Sequence, residues 1–146
     1  MKKIIKIITS LLTVLVLLTA CSSEKTKVYT EKNGNQEHVT TIYYKGKTVN
    51  KVVTNSTLTT DKANIDSRLN EIKYAISKNP NFDGFTRSAE IKDGKIVTTI
   101  EIDYNKLDFE KYRGRVHLSN SDTLENERKL ETVEYHLKDA GATEKK

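Results

Sequence analysis

The 146-residue chain has one cysteine, one proline and no tryptophan. A lone cysteine has no intramolecular partner, so a disulfide framework is excluded and the fold must be held by packing. The six glycines stand singly, which excludes a glycine-rich loop built to cradle phosphates. No G-x-S-x-G or S-x-x-K motif occurs. His38, His117 and His136 form no H-x-x-x-H, H-E-x-x-H or Cys/His cluster, so no metal site is expected. The expectation is therefore a protein that is not an enzyme and carries no cofactor. Charge of one sign is also missing from any long stretch. The formal net charge is +5, but residues 1–20 hold three lysines and no acid, which leaves 22 basic and 20 acidic residues in the rest. Basic and acidic side chains are intermixed there, which argues against nucleic-acid binding. The one long apolar run, residues 7–18, is shorter than the roughly 20 residues that span a bilayer.

That run has a different meaning. Lys2, Lys3 and Lys6 precede it, and Leu18-Thr19-Ala20-Cys21 closes it before a polar stretch. Charged start, short apolar core and small-residue exit make the plan of a secretory signal peptide. The last four residues resemble the lipobox of bacterial lipoproteins. That resemblance implies cleavage before Cys21 and attachment of a diacylglycerol to its sulfur, with palmitate-type chains in the membrane. Cys21 is thus the expected lipidation site, and Leu18, Thr19 and Ala20 the signal-peptidase motif. The expected organisation is a signal peptide at 1–20, a lipidated tether at 21–26 and one domain at 27–146. The expected location is the extracytoplasmic face of a bacterial cell membrane.

The mature part reads as two β-rich stretches, each followed by a helix. Three strands at 27–32, 37–44 and 48–58 are joined by Asn33-Gly34-Asn35 and Lys45-Gly46, turn sequences that accept positive φ. The hydrophobic period then changes. Ile65, Leu69, Ile72 and Ile76 fall on one helical stripe over 61–78, with Thr59 or Thr60 as cap and Asn79-Pro80 as stop. Phe82 and Phe85 are expected to plug the end of the core. A hairpin with strands at 86–92 and 95–104 turns at Asp93-Gly94, its Ile96, Ile100 and Ile102 facing the core. Residues 105–120 read as a long loop. A single helix over 122–139 follows, its start marked by Asp122 and Glu125 in a capping pattern, its apolar stripe formed by Leu130, Val133 and Leu137, and Gly141 its stop. The tail from Thr143 is expected to fray, with a short edge strand as the alternative. The fold class is α+β: an antiparallel sheet of about five strands, meander plus hairpin, packed by two helices.

With these elements in place, the chain resembles the small bacterial lipoprotein family named after YehR. The lipobox, the segment Thr41-Ile42-Tyr43-Tyr44-Lys45-Gly46-Lys47-Thr48-Val49, the helix from Asp61 and the closing Leu137-Lys138-Asp139-Ala140-Gly141 carry the resemblance. It implies an α+β lipoprotein with a helix-packed antiparallel sheet and brings no catalytic residues. Ala142 stands where a bulky apolar residue is expected. Among the tyrosines, Tyr43, Tyr44, Tyr104 and Tyr112 form a candidate contact surface for a protein or envelope-glycan partner. The acids Glu101, Asp103, Asp108 and Glu110 gather near one strand end and read as a solvated edge. Two functions remain: a non-catalytic interaction module, and a small-ligand or substrate-binding accessory of a transporter or envelope enzyme, with a pocket near Phe82, Phe85 and Tyr112.

Overall fold

The computed structural model describes residues 23–115 and 121–146. The signal segment, Cys21, Val116, His117 and Leu118 lie outside them. The chain builds β1 (Lys25–Asn33), β2 (Gln36–Lys45), β3 (Thr48–Leu58), α1 (Ile65–Lys78), β4 (Phe85–Lys92), β5 (Lys95–Asp103), α2 (Phe109–Arg115), α3 (Leu124–Glu127), α4 (Leu130–Asp139) and β6 (Thr143–Glu144). The strands form one sheet in the order β4-β5-β3-β2-β1-β6, every neighbouring pair antiparallel. This is the α+β class expected, with six strands instead of about five and, among the described residues, four helices instead of two.

The registers sort the sheet into two unlike faces. One rung runs Lys27, Ile42, Val52, Ile102, Phe85, and the next Tyr29, Thr40, Thr54, Ile100, Arg87. All six buried strand residues with a regular pairing, Tyr29, Thr40, Ile42, Val52, Phe85 and Ile96, fall on this face. Val49 joins them opposite Tyr44, after a bulge that shifts the register between Tyr43 and Tyr44. The other face carries Val28, Val39, Tyr43, Val53 and Val97, none of them buried. Alternation of apolar and polar residues along each strand produces this division, because successive side chains point to opposite sides.

The helices lie on the buried face. Helix α1 rests against β4 and β5, with Ile65, Leu69, Ile72 and Ile76 half-buried and no residue fully buried. It starts later than the sequence suggests, with Asn64 at its N-cap, because Thr59 is taken up elsewhere. The Thr59 amide donates to the Asn35 carbonyl (3.0 Å) and the Thr59 carbonyl accepts from Asn35 Nδ2 (2.9 Å), tying it to the β1–β2 turn. Since α1 only half-buries its stripe, Leu69→Ala should cost about 1 kcal/mol, whereas Ile42→Ala, at a fully buried position, should cost about 3 kcal/mol. Urea unfolding of the two variants checks the contrast.

Three further expectations are corrected. Strand β1 begins at Lys25, so the tether is two residues shorter than expected. The single helix over 122–139 is broken into α3 and α4, because Lys129 is extended (φ −66°, ψ 132°). Beyond the bulge, the first residues of β3 have no partner in β5, whose pairing starts at Lys51. The segment 128–130 supplies it. The Val49 amide donates to the Arg128 carbonyl (2.8 Å), and the Leu130 amide donates to the Lys47 carbonyl (2.9 Å). Arg128 adds Nε to the Val49 carbonyl (3.0 Å) and guanidinium bonds to Asn50 Oδ1 (3.3 Å) and Asn105 Oδ1 (3.0 Å). Paired backbone thus wins over helix continuation. The cap of α3 is correspondingly Thr123, whose hydroxyl accepts from the Asn126 amide, not Asp122.

The chain end is the third correction. Gly141 (φ +94°) stops α4 as expected, and the Ala142 amide donates back to the Leu137 carbonyl (2.9 Å). Ala142 is then buried, and Thr143–Glu144 pair with Tyr29 and Thr30 as β6 instead of fraying.

Candidate functional site

Within residues 105–120, expected as a loop, Asp108 starts α2 by accepting from the Lys111 amide at Oδ1 (3.2 Å). This turns Tyr112 inward, where it is 4% exposed. Tyr104 sits just past β5 and is 3% exposed. Burial pushes both phenols well above the usual tyrosine range, and the charge of Glu127 pushes further in the same direction. Neither ring offers a surface, so they leave the contact set proposed from sequence. Tyr44 is half-buried and packs on the core. Tyr43 alone stands on the open face, with Lys51 Nζ 4.8 Å from its ring centre. The strand-end acids do not converge. Asp103 pairs with Lys106 (3.5 Å) and Asp108 with Lys111 (2.9 Å). The Asp108 carboxyl is held below its ordinary range, chiefly by its hydrogen bond from Lys111.

The structure instead brings together a cleft of about 550 Å³ between the sheet and the short helices. Val52, Ile100, Ile102, Phe85, Val133 and Leu137 form its apolar wall. Tyr104, Tyr112 and the buried Glu127 close one part of it; Arg87, Arg115 and His136 supply its cationic and imidazole groups. The size and the mix of apolar wall with few polar groups are those of a small-molecule site. Phe85 and Tyr112, singled out in the sequence, both line it, edge to face with centroids 6.0 Å apart. Phe82 lies behind, stacked on Phe85 at 5.1 Å.

The two arginines were missed by sequence reading. Arg87 lies on the β4 rung beside Phe85, its guanidinium 5.5 Å from that ring, and donates to the Asn79 carbonyl at the end of α1. Its backbone is pinned by Asn81, whose Oδ1 accepts from the Arg87 amide (2.8 Å). Arg115 ends α2, lies 5.2 Å from the Phe82 ring and donates to the Pro80 carbonyl (2.8 Å). Two guanidiniums thus flank a stacked phenylalanine pair. The usable signal was an arginine at an inward position of an alternating strand, Arg87 between Phe85 and Ala89.

A helix-backed antiparallel sheet with one open face and an apolar cleft under the helices defines a small α+β domain. The chain belongs to the family described as a protein of unknown function (DUF1307), which it matches over residues 25–143. It is similar to the uncharacterized lipoprotein Lmo0207 of Listeria monocytogenes, 32% identical over 99 residues, 65% of each chain. It is also similar to the uncharacterized lipoprotein Lin0239 of Listeria innocua, 26% identical over 88% of this chain and 87% of that one. The fold matches the solution structure of Escherichia coli YehR with a TM-score of 0.62 at 23% identity, covering 84% of this chain and 91% of that one. A protein from Streptococcus pneumoniae matches with a TM-score of 0.58 at 25% identity, covering 84% and 86%. The resemblance drawn from sequence is therefore correct in family and in fold.

Proposed function

We propose that this chain is a lipid-anchored protein of the bacterial envelope that works by binding, without catalysis, and that its ligand is a small molecule held in the 550 Å³ cleft. The cleft is the observation that carries the reading. The lipobox around Cys21 and the naming of two relatives as lipoproteins support the anchor. Diacylglyceryl-cysteine with a further acyl chain holds firmly, since each buried CH₂ contributes about 0.8 kcal/mol. Burial of Tyr104 and Tyr112 weighs against the other reading, a tyrosine-lined contact surface for a protein or glycan, by reducing it to Tyr43 on the open face.

The tether sets an orientation. Four residues of fully extended chain, from Cys21 to Lys25, reach about 14 Å. Lys25 pairs with Tyr44, so the edge formed by the β2–β3 turn and residues 128–130 is the one held near the bilayer. The rung of Ile42, Val52, Ile102 and Phe85 lies two residues in from Lys25, which puts the cleft in the anchored half of the sheet. Cell fractionation of Cys21→Ala is the test of the anchor: the variant should leave the membrane fraction and appear in soluble material. Retention equal to that of the native chain would overturn it.

A further inference from the structure

Resting on the reading of the cleft as a ligand site, we propose that its ligand is a small anionic amphiphile: an acid headgroup, carboxylate or phosphate, on an apolar body. The headgroup lies on Arg87 and Arg115, and the body lies along Val52, Ile100, Ile102, Val133 and Leu137.

Four observations carry this. First, among the described residues neither guanidinium has an acid within salt-bridge distance, although the surface lysines nearby, Lys106 and Lys111, each do. Second, both guanidiniums are already positioned. Each stacks on a phenylalanine ring and donates to a carbonyl at the end of α1, so little side-chain freedom is lost when a ligand arrives. Third, the Nε–H of Arg87 is buried and has no hydrogen-bond partner among the described residues. A buried donor without an acceptor is costly, and an anionic oxygen would satisfy it with a charge-assisted bond. Fourth, the wall that continues from these groups is apolar, and a ligand that is charged throughout would leave it without a partner.

The one carboxylate among the lining residues does not reverse the sign. Glu127 is buried, its charge acting on the Tyr104 and Tyr112 phenols, and it stands as one carboxylate against two guanidiniums. The two guanidiniums therefore set the charge of the remaining part of the cleft. The position of the cleft in the anchored half of the sheet places it where amphiphiles are concentrated, at the membrane interface.

The test uses the lipidated protein in nanodiscs, with empty nanodiscs as the blank, and four probes of similar body: phenylpropanoate, phenylpropyl phosphate, phenylpropanol and phenylpropylamine. Saturation-transfer NMR and titration calorimetry should show the two acids binding at least about tenfold more tightly than the alcohol, and the amine not at all. Whichever acid binds more tightly identifies the headgroup as carboxylate or phosphate. Arg115→Gln, at an exposed position, and Arg87→Gln should each weaken acid binding by about tenfold or more while alcohol binding stays the same. Far-UV circular dichroism confirms that each variant is folded, and Arg115→Gln alone suffices if Arg87→Gln is not. Equal binding of all four probes, or acid binding unchanged in Arg115→Gln, overturns the anionic headgroup and leaves the cleft standing as a site. Binding of none to the native protein overturns both.

Discussion

Gly84→Ala should lower the stability of the domain by about 3–5 kcal/mol, enough to leave much of the protein unfolded at growth temperature. Gly84 precedes β4 at φ +75°, a conformation that side chains with a Cβ rarely adopt. Holding alanine in that conformation would cost near 1 kcal/mol by itself. Steric overlap costs more. A Cβ at this position would sit 2.4 Å from the backbone N and Cα of Leu107 and 2.7 Å from the Asp103 carbonyl oxygen. All three are backbone atoms, so no rotamer change relieves the clash. Relief requires moving the 103–108 segment away from β4, and that segment is held by the Asp103 amide on the Gly84 carbonyl (2.8 Å) and the Asp108 amide on the Asp83 carbonyl (3.0 Å). It also carries Tyr104 and Leu107 into the core and starts α2, so the cleft would open with it. Thermal unfolding followed by circular dichroism should show a fall in Tm of about 10 °C or more. Gly34→Ala, also at positive φ but with nothing within 4 Å, should cost only the backbone strain. Equal losses in the two variants would contradict the steric account.

Tyr29→Ala should cost about 4 kcal/mol, and Tyr29→Phe about 1–2 kcal/mol. The ring is fully buried midway along β1, and its hydroxyl donates to Glu134 Oε1 (2.7 Å). Lys27 Nζ donates to the same oxygen. Alanine removes the ring and leaves Glu134 with one donor fewer; phenylalanine removes the donor alone. The pair also sets an acid limb. Burial by itself would raise the Glu134 carboxyl, but the hydrogen bonds from Lys27 and Tyr29 and the Lys27 charge outweigh it and hold the group below its ordinary 4.5. A carboxyl depressed in the folded state stabilises most when ionised, above its unfolded value. That contribution is lost as pH falls from 4.5 through the lower folded value. In Glu134→Gln the proton is no longer exchanged. The stability gap between native protein and Glu134→Gln should therefore be full near neutrality and shrink below about pH 4.5 in urea titrations at a series of pH values. A gap independent of pH would remove Glu134 from the acid limb.

Much of this architecture was legible along the chain, and the reasons are local. The boundaries of β3 were read without error, because Lys45-Gly46-Lys47 and the Val/Thr run of 48–58 state a turn and a strand in neighbouring residues. The I′-type signal of Asp93-Gly94, both residues at positive φ, made the β4–β5 hairpin equally plain. The side of β5 facing the core followed from alternation alone, and Ile96 is fully buried as its position requires. Errors fell where a distant partner overrides local preference. Residues 128–130 belong to a good helical pattern, but Lys47 and Val49 had unpaired backbone groups to offer. Val49 and Arg128 lie 79 positions apart, beyond the reach of any local pattern. Thr59 is a good cap by type and is held by the β1–β2 turn instead. Thr143–Glu144 look like a fraying tail until Ala142 fits under the sheet edge and aligns them with β1.

The same division runs through the function. On the sequence alone rests the expected address, because a signal peptide is read by composition and order before the chain folds; the sequence also determined the class of fold, because periods of two and 3.6 need no tertiary context. It singled out Phe85 and Tyr112 as well, the one beside a turn and the other in the 105–120 segment, as residues near a pocket. Only the tertiary structure decided that Tyr104 and Tyr112 are core and not surface, since a tyrosine's exposure depends on which segments pack over it. Only the tertiary structure brought Arg87 from β4 and Arg115 from α2 together across the stacked pair of Phe82 and Phe85, giving an apolar cleft two cations that pair with no acid among the described residues. Those residues lie 28 positions apart and share no periodic signal. Their proximity follows from α2 packing on the sheet face to which β4 contributes Arg87, and packing between distant segments of that kind is set by the buried surface of the whole domain and not by any local stretch of sequence.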